Sequence, residues 1–131
     1  MNLKELMMQF LQEEGFCPKE EEYGIDFKCE GRVYTFIYDS DDEQYFRLMM
    51  PNIFDVTDEN RDIVLKALND TNSEMKVVKA YTPIPNAVWI SFEVLVDSTP
   101  VLGDIVPRAL GMLRGAQRTF YEAIEKGVIT P

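Results

Sequence analysis

Asp39, Asp41 and Glu43 stand at the alternate spacing that opens a calcium loop, where oxygen ligands at positions one, three and five meet a hard cation. The rest of that loop is missing. Position six, where the chain turns sharply on glycine, is Gln44, and position twelve, where a bidentate glutamate closes the shell, is Met50. The segment Asp39 to Gln44 therefore reads as a solvated polar turn. Glu20, Glu21 and Glu22 could supply paired carboxylates, but acid–base work needs such a pair held in a cleft. Nothing in the sequence brings two of them into one, and the run reads as the lead-in to a strand. The chain has no histidine, so the commonest general base and the commonest metal ligand are both absent. Serine and threonine are left without an activating partner. No nucleophile elbow, Walker A or dinucleotide glycine pattern occurs, and no feature points to a lysine-based mechanism. Cys17 and Cys29 form neither a CxxC pair nor a dense framework. The expectation is a protein with no catalytic residue, no metal and no cofactor.

Composition bounds the remaining classes. A chain of 131 residues with 46% apolar content reads as one globular domain spanning residues 1–131. Its net charge of −10 repels phosphate backbones and anionic lipid, which argues against nucleic-acid and membrane partners. It fits a basic partner, or simply solubility. The start of the chain carries no basic flank followed by an apolar run, so no signal peptide is expected. No window holds roughly 18 consecutive apolar residues, so nothing is expected to span a membrane. Sparse cysteine fits a reduced, cytoplasmic protein.

The elements follow from hydrophobic period. Asn2 can cap a first helix whose stripe is Leu3, Leu6, Met7, Phe10 and Leu11, with Gly15 at its exit. Tyr23, Ile25, Phe27 and Cys29 alternate with Asp26, Lys28 and Glu30, a half-buried strand. Glu30-Gly31 turns the chain into a strand over Arg32 to Tyr38, apolar on both faces and so expected to be covered on both, at least in part. A third strand covers Tyr45 to Met50 and is expected to stop at Pro51. Thr57 or Asp58 caps a second helix with stripe Ile63, Val64, Ala67 and Leu68, fading from Asn69 to Ser73. A fourth strand runs from about Met75 to Tyr81, and Pro83 to Asn86 reads as a loop. Ala87 to Asp97 is the central strand: Val88, Ile90, Phe92, Val94 and Val96 face the core, while Trp89, Ser91, Glu93 and Leu95 share a mixed face. A long last helix starts near Asp104 or is kinked at Pro107, and ends at Gly127. The predicted architecture is α+β: helix, three strands, helix, two strands, helix, with an antiparallel sheet packed against the helices.

Three features could mark an interface. Trp89 and Leu95 are large apolar groups on the mixed face, either covered by a helix end or loop or presented to a partner. Tyr45 and Met49 belong to the corresponding face of the third strand. Gly111 and Gly115 lie one turn apart, opposite the apolar stripe of the last helix. They are either tolerated there or allow another backbone to approach. Met7, Met8, Met49 and Met50 either fill the core or line an adaptable groove.

Several stretches carry a family resemblance. Residues 25–34 (Ile-Asp-Phe-Lys-Cys-Glu-Gly-Arg-Val-Tyr), 47–54 (Arg-Leu-Met-Met-Pro-Asn-Ile-Phe), 88–93 (Val-Trp-Ile-Ser-Phe-Glu) and 120–125 (Phe-Tyr-Glu-Ala-Ile-Glu) resemble the first hairpin, third strand, fifth strand and final helix end of the YbjN-like family. That family's fold is similar to the type III secretion chaperones. The resemblance implies a bacterial regulator without defined chemistry, or a small acidic dimer that holds extended client segments. It carries over no residue-level motif. The functional expectation is a non-enzymatic protein-interaction module, possible as a homodimer, binding a protein partner or client through Trp89, Leu95, Tyr45 and Met49, with Gly111 and Gly115 as another docking face. The alternative is a small-molecule or enzymatic pocket between sheet and helices, lined by Tyr23, Phe36, Tyr38, Phe46 and Phe92.

Overall fold

The computed structural model describes residues 1–129, so the last two residues of the expected domain lie outside the described residues. Helix α1 (Leu3–Glu13) starts in a capping box: Asn2 Oδ1 accepts the Glu5 N–H at 2.8 Å, and Glu5 Oε1 accepts the Asn2 N–H at 3.0 Å. Glu43 adds a second carboxylate at this positive helix end, accepting the Leu3 N–H at 2.8 Å. Within the acidic turn, Asp39 Oδ1 accepts the Asp41 N–H at 2.9 Å. The turn thus anchors α1 from 40 positions away. The chain leaves α1 through Gly15 at φ 80°.

Strands β1 (Lys19–Glu21), β2 (Gly24–Cys29), β3 (Arg32–Ile37) and β4 (Tyr45–Asp55) come next, then α2 (Arg61–Glu74). After them come β5 (Val78–Ile84), β6 (Ala87–Leu95) and α3 (Leu102–Ile129). The six strands lie in the order β1-β2-β3-β4-β6-β5, and every neighbouring pair is antiparallel. The α+β class holds, but the first run has four strands where the pattern predicts three. Lys19–Glu21 pairs with β2, and three polar residues are too few for alternation to reveal a strand.

The prolines account for the other departures. Pro51 does not end β4; the strand continues to Asp55, and its ladder to β6 shifts register between Met50 and Phe54. Proline needs no ladder donor inside such an irregularity. Pro83 likewise sits within β5, an edge strand whose register shifts between Tyr81 and Ile84, so only Pro85 and Asn86 form the turn. Helix α3 starts at Leu102, ahead of Asp104, and contains Pro107 in its interior. Gly127 does not end α3. A Cβ there would stand 2.7 Å from Ile63 Cγ2, so its bareness lets α3 lie close against α2.

Helix α2 begins at Arg61, because Thr57 and Asn60 exchange hydrogen bonds in a preceding turn (2.8 and 3.2 Å). It also outlasts its apolar stripe. Thr71 and Ser73 donate to the carbonyls of Ala67 and Asn69 at 2.8 and 2.7 Å, which satisfies their hydroxyls within the helix.

All three helices contribute to one core with a single face of the sheet. Leu3, Met7 and Leu11 of α1, Val64 and Ala67 of α2, and Val106, Leu113 and Phe120 of α3 cluster with Ile25, Phe36, Phe46, Leu48, Ile90 and Phe92. Phe46 lies 5.3 Å from Phe36 and 6.1 Å from Phe92, centroid to centroid. Phe36 and Phe46 are closed within the core, whereas Phe92 also reaches the wall of a cleft between the sheet and α3, beside Val94, Ile105 and Met112. Met7 and Met50 are core residues too. Strand β3 is covered fully on one face and in part on the other: Tyr34 and Phe36 are buried on the core side, while on the opposite side Thr35 is buried, Ile37 half-buried and Val33 exposed.

Candidate interaction face of the sheet

With every helix on one side, the opposite face of the sheet is left to its own side chains. The register assembles it row by row. Thr35 pairs with Met49 and Met49 with Ser91, and Ser91 faces Lys79. In the next row Ile37 pairs with Arg47 and Arg47 with Glu93. Tyr45 pairs with Leu95, and Trp89 with Tyr81.

Long polar side chains lie across the middle of this face. Tyr45 donates its hydroxyl to Glu93 Oε1, and Glu93 Oε2 is 2.9 Å from Lys79 Nζ. Lys79 also sits 5.1 Å from the centre of the Tyr81 ring, and Arg47 Nη2 donates to the Tyr81 hydroxyl at 2.6 Å. The result is a chain of five side chains across three strands. Burial alone would push the Glu93 carboxyl up, but the hydrogen bonds from Tyr45 and Lys79 and the Lys79 charge outweigh it and hold the group below its usual range. Burial and the bond to Glu93 push the Tyr45 hydroxyl up to about 12. Glu93 is thus the ionised centre and Tyr45 a fixed donor.

A carboxylate held low in the folded state stabilises above its unfolded value of about 4.3 and loses that contribution as the pH falls through the folded value. Denaturant midpoints measured from neutral pH down to about pH 3 are therefore expected to fall more steeply in the wild type than in Glu93→Gln. Parallel curves would show that the network adds no acid-sensitive stability.

The candidate contacts separate on this frame. Leu95 is 81% exposed beside Tyr45, and no helix end or loop covers it. Trp89 is half-buried, with its indole Nε1 donating to Asn52 Oδ1 at 3.0 Å. Asn52 reaches it from the irregular part of β4, where its φ is 52°. Met49 is a correction: at 1% exposure it cannot serve as a surface contact. Its cross-strand neighbours Thr35 and Ser91 are small, so longer chains on the same face, Arg47 and Trp89 among them, can close over it. Gly111 and Gly115 belong to α3, on the helical side. Gly111 is exposed, whereas a Cβ on Gly115 would meet Met75 Cε at 3.4 Å. They do not join the sheet face.

Arg47, Lys79, Tyr81 and Asn52 complete the site and were not among the expected contacts. Alternation does place Arg47 and Glu93 on the non-core faces of their strands. Their meeting depends on β4 pairing with β6, a contact between strands separated by α2 and β5 that no local pattern reveals.

No family model matches the sequence, and no curated protein matches it significantly. Solved structures do. YbjN from E. coli, described as a candidate transcription regulator, superposes with a TM-score of 0.68 at 11% identity, over 92% of this chain and 89% of that one. An uncharacterized protein from Methanothermobacter thermautotrophicus gives 0.66 at 15% identity, over 94% and 96%. Agreement over nearly the full length of both chains at so low an identity is agreement of backbone architecture, and the protein has the YbjN fold.

Proposed function

We propose that the protein is a non-enzymatic interaction module, a small acidic regulator or chaperone-like protein that binds protein segments over the open face of its sheet. One observation carries this reading. Leu95 stands 81% exposed next to Tyr45 on a face that no helix covers, and exposed large apolar groups with aromatic neighbours are typical of binding surfaces. The polar network beside it holds two cations and one carboxylate. The face is thus less acidic than the chain as a whole, and a partner can approach it without the repulsion that the net charge of −10 imposes elsewhere. The description of YbjN as a candidate regulator is consistent with such a role, although fold does not assign function. We include pairing of two copies through this face, and a cytoplasmic place of action in keeping with the free thiols of Cys17 and Cys29.

Native mass by light scattering, combined with affinity capture and cross-link mapping, tests the proposal. The wild type is expected to form a dimer or retain a stoichiometric partner cross-linked near β6. Leu95→Glu should weaken that association about tenfold or more, since burying a leucine is worth roughly 1.5–3 kcal/mol. The residue is exposed, so the fold should be unaffected. If Leu95→Glu and Trp89→Ala both leave association and capture unchanged, the face is not the binding surface.

A further inference from the structure

Strand β6 runs on past the end of its edge partner. The ladder to β5 stops at the Val78–Phe92 pair, and β6 continues through Glu93 and Val94 to Leu95. The same register would set Val77 opposite Glu93 and Met75 opposite Leu95. Neither residue takes up that line. Val77 has φ 70°, an outlier for a β-branched residue, and the Val78 N–H bonds across it to the Lys76 carbonyl at 2.7 Å in a tight turn. Met75 is held back at the helices: its N–H donates to the Thr71 carbonyl at 2.9 Å, and its sulfur accepts the Thr119 hydroxyl at 3.7 Å. Leu95 therefore has Tyr45 on one side and, among the described residues, no strand on the other. Its backbone faces that open side. The Val96 N–H bonds to the Gln44 carbonyl at 2.7 Å, so alternation turns the groups of Val94 and Val96 toward β4 and those of Leu95 away from it. On the helical side of this strand end lies a cleft of about 340 Å³. Phe92 and Val94 form its sheet wall, Ile105 and Met112 its α3 wall, and the exposed Val77 joins them. Arg108 also lines the cleft and Lys76 adjoins Val77; both are exposed, and neither makes an ion pair among the described residues. The nearby acids are engaged. Asp97 Oδ1 accepts the Thr99 N–H at 2.9 Å, and Asp104 lies in the first turn of α3, where the positive helix end offsets it.

We propose that the end of β6 takes up an extended segment of a partner protein, apolar at alternate positions and acidic at its flanks, which adds to the sheet along the line that β5 leaves free. This deepens the segment binding proposed above and rests on it. The segment residue opposite Leu95 exchanges backbone hydrogen bonds with it and shares the open face of the sheet. The next residue points to the helical side and enters the cleft between Val94 and Ile105. A free backbone edge selects a peptide over a lipid or another apolar molecule, since a peptide supplies the alternating donors and acceptors. Arg108 and Lys76 select the acidic flanks. At physiological salt charges are screened over about 8 Å, so these two neighbours outweigh the net charge of −10 on the whole chain.

The probe is an end-blocked peptide, Glu-Val-Thr-Leu-Thr-Val-Glu, titrated into the full-length protein at about 0.15 M salt and followed by amide and methyl NMR. Saturable shifts are expected together at the Leu95 amide and at the methyl groups of Val94 and Ile105. Methylating the two threonine amide nitrogens removes the donors to Leu95 and keeps the side chains, and should weaken binding about tenfold or more. Replacing the central leucine by serine should do the same. Exchanging both glutamates for lysines should weaken binding to the wild type several-fold, and Arg108→Glu should bring the two peptides within about twofold of each other. Val77→Asn, which suits a positive φ and so keeps the fold, should weaken binding several-fold. Trp89→Ala should leave it within about twofold, whereas a segment lying across the open face would lose affinity. The proposal is overturned if no saturable shift occurs. It is also overturned if the methyl groups shift without the Leu95 amide and the methylated peptide binds equally well, because the cleft then takes an apolar group and no strand is added. Shifts centred on Trp89 and Arg47 would overturn the placement at β6 and leave the open face as the binding surface. A dimer whose cleft methyls shift on dilution would put a second copy there in place of the partner segment.

Discussion

Gly24→Ala is expected to lower stability by about 4 kcal/mol or more, a large share of what a domain of this size has to lose. Gly24 opens β2 with φ 152°, a backbone conformation that side chains rarely adopt. A Cβ there would stand 1.8 Å from the Phe36 carbonyl oxygen and 2.9 Å from its carbon. Those atoms are backbone, so no rotamer change relieves the clash. The hairpin would have to separate where Gly24 pairs with Ile37, next to the Ile25–Phe36 pair that forms the floor of the core. Gly31→Ala is the control. Gly31 has φ 78° but nothing within 4 Å of an added Cβ, so only the left-handed backbone cost of about 1–2 kcal/mol remains. Urea midpoints of the two variants should differ clearly, with Gly24→Ala far lower. Equal shifts would mean that the close approach at Gly24 relaxes freely, and that β2 and β3 are less tightly joined than the structure shows.

The two glycines also show what a sequence can disclose. Gly31 is legible because it follows Glu30 between two alternating segments, and a tight turn demands positive φ. Gly24 lies inside an alternating run, and the atom it avoids belongs to β3. The same division runs through the molecule. The stripe of α1, the alternation of β2 and the core face of β6 are local patterns, and the structure keeps all three. Pro51, Pro83 and Gly127 read locally as breaks, and Pro107 as a first-turn residue or a kink. Each is accommodated by something the sequence does not display: a register shift in β4, the edge position of β5, the interior of a long helix, and the side chain of Ile63. For the candidate face, alternation already set Tyr45, Trp89 and Leu95 on the non-core side. It could not separate exposed Leu95 from buried Met49, because that difference comes from what neighbouring strands place beside each residue. The Tyr45–Glu93–Lys79–Tyr81–Arg47 chain was invisible for the same reason.

Asn72→Ala is expected to cost about 2–3 kcal/mol and to make the protein associate as its concentration rises. Strand β5 is one edge of the sheet, and an edge offers unpaired backbone groups to any passing strand. Asn72, on α2, occupies that position. Its Oδ1 accepts the Ala80 N–H at 2.7 Å and its Nδ2 donates to the Ala80 carbonyl at 3.0 Å. One side-chain amide therefore imitates the two bonds of an antiparallel neighbour. Next along the edge, the Val78 N–H is already taken by the Lys76 carbonyl at 2.7 Å. Removing the amide leaves both polar groups of Ala80, a residue only 2% exposed, without partners. Asn72→Asp should fall between, because a carboxylate can accept from the N–H but cannot donate to the carbonyl. Urea midpoints give the stability term, and light scattering over a concentration series gives the association. A variant that keeps the wild-type midpoint and mass would show that water serves Ala80 as well as Asn72 does. Combining Asn72→Ala with Leu95→Glu then separates two kinds of contact. Association through the β5 edge uses backbone and should survive the loss of Leu95, whereas association across the open face should not. An Asn72→Ala oligomer that Leu95→Glu dissolves would therefore place the contact on the sheet face and leave the edge guarded by something other than this one amide.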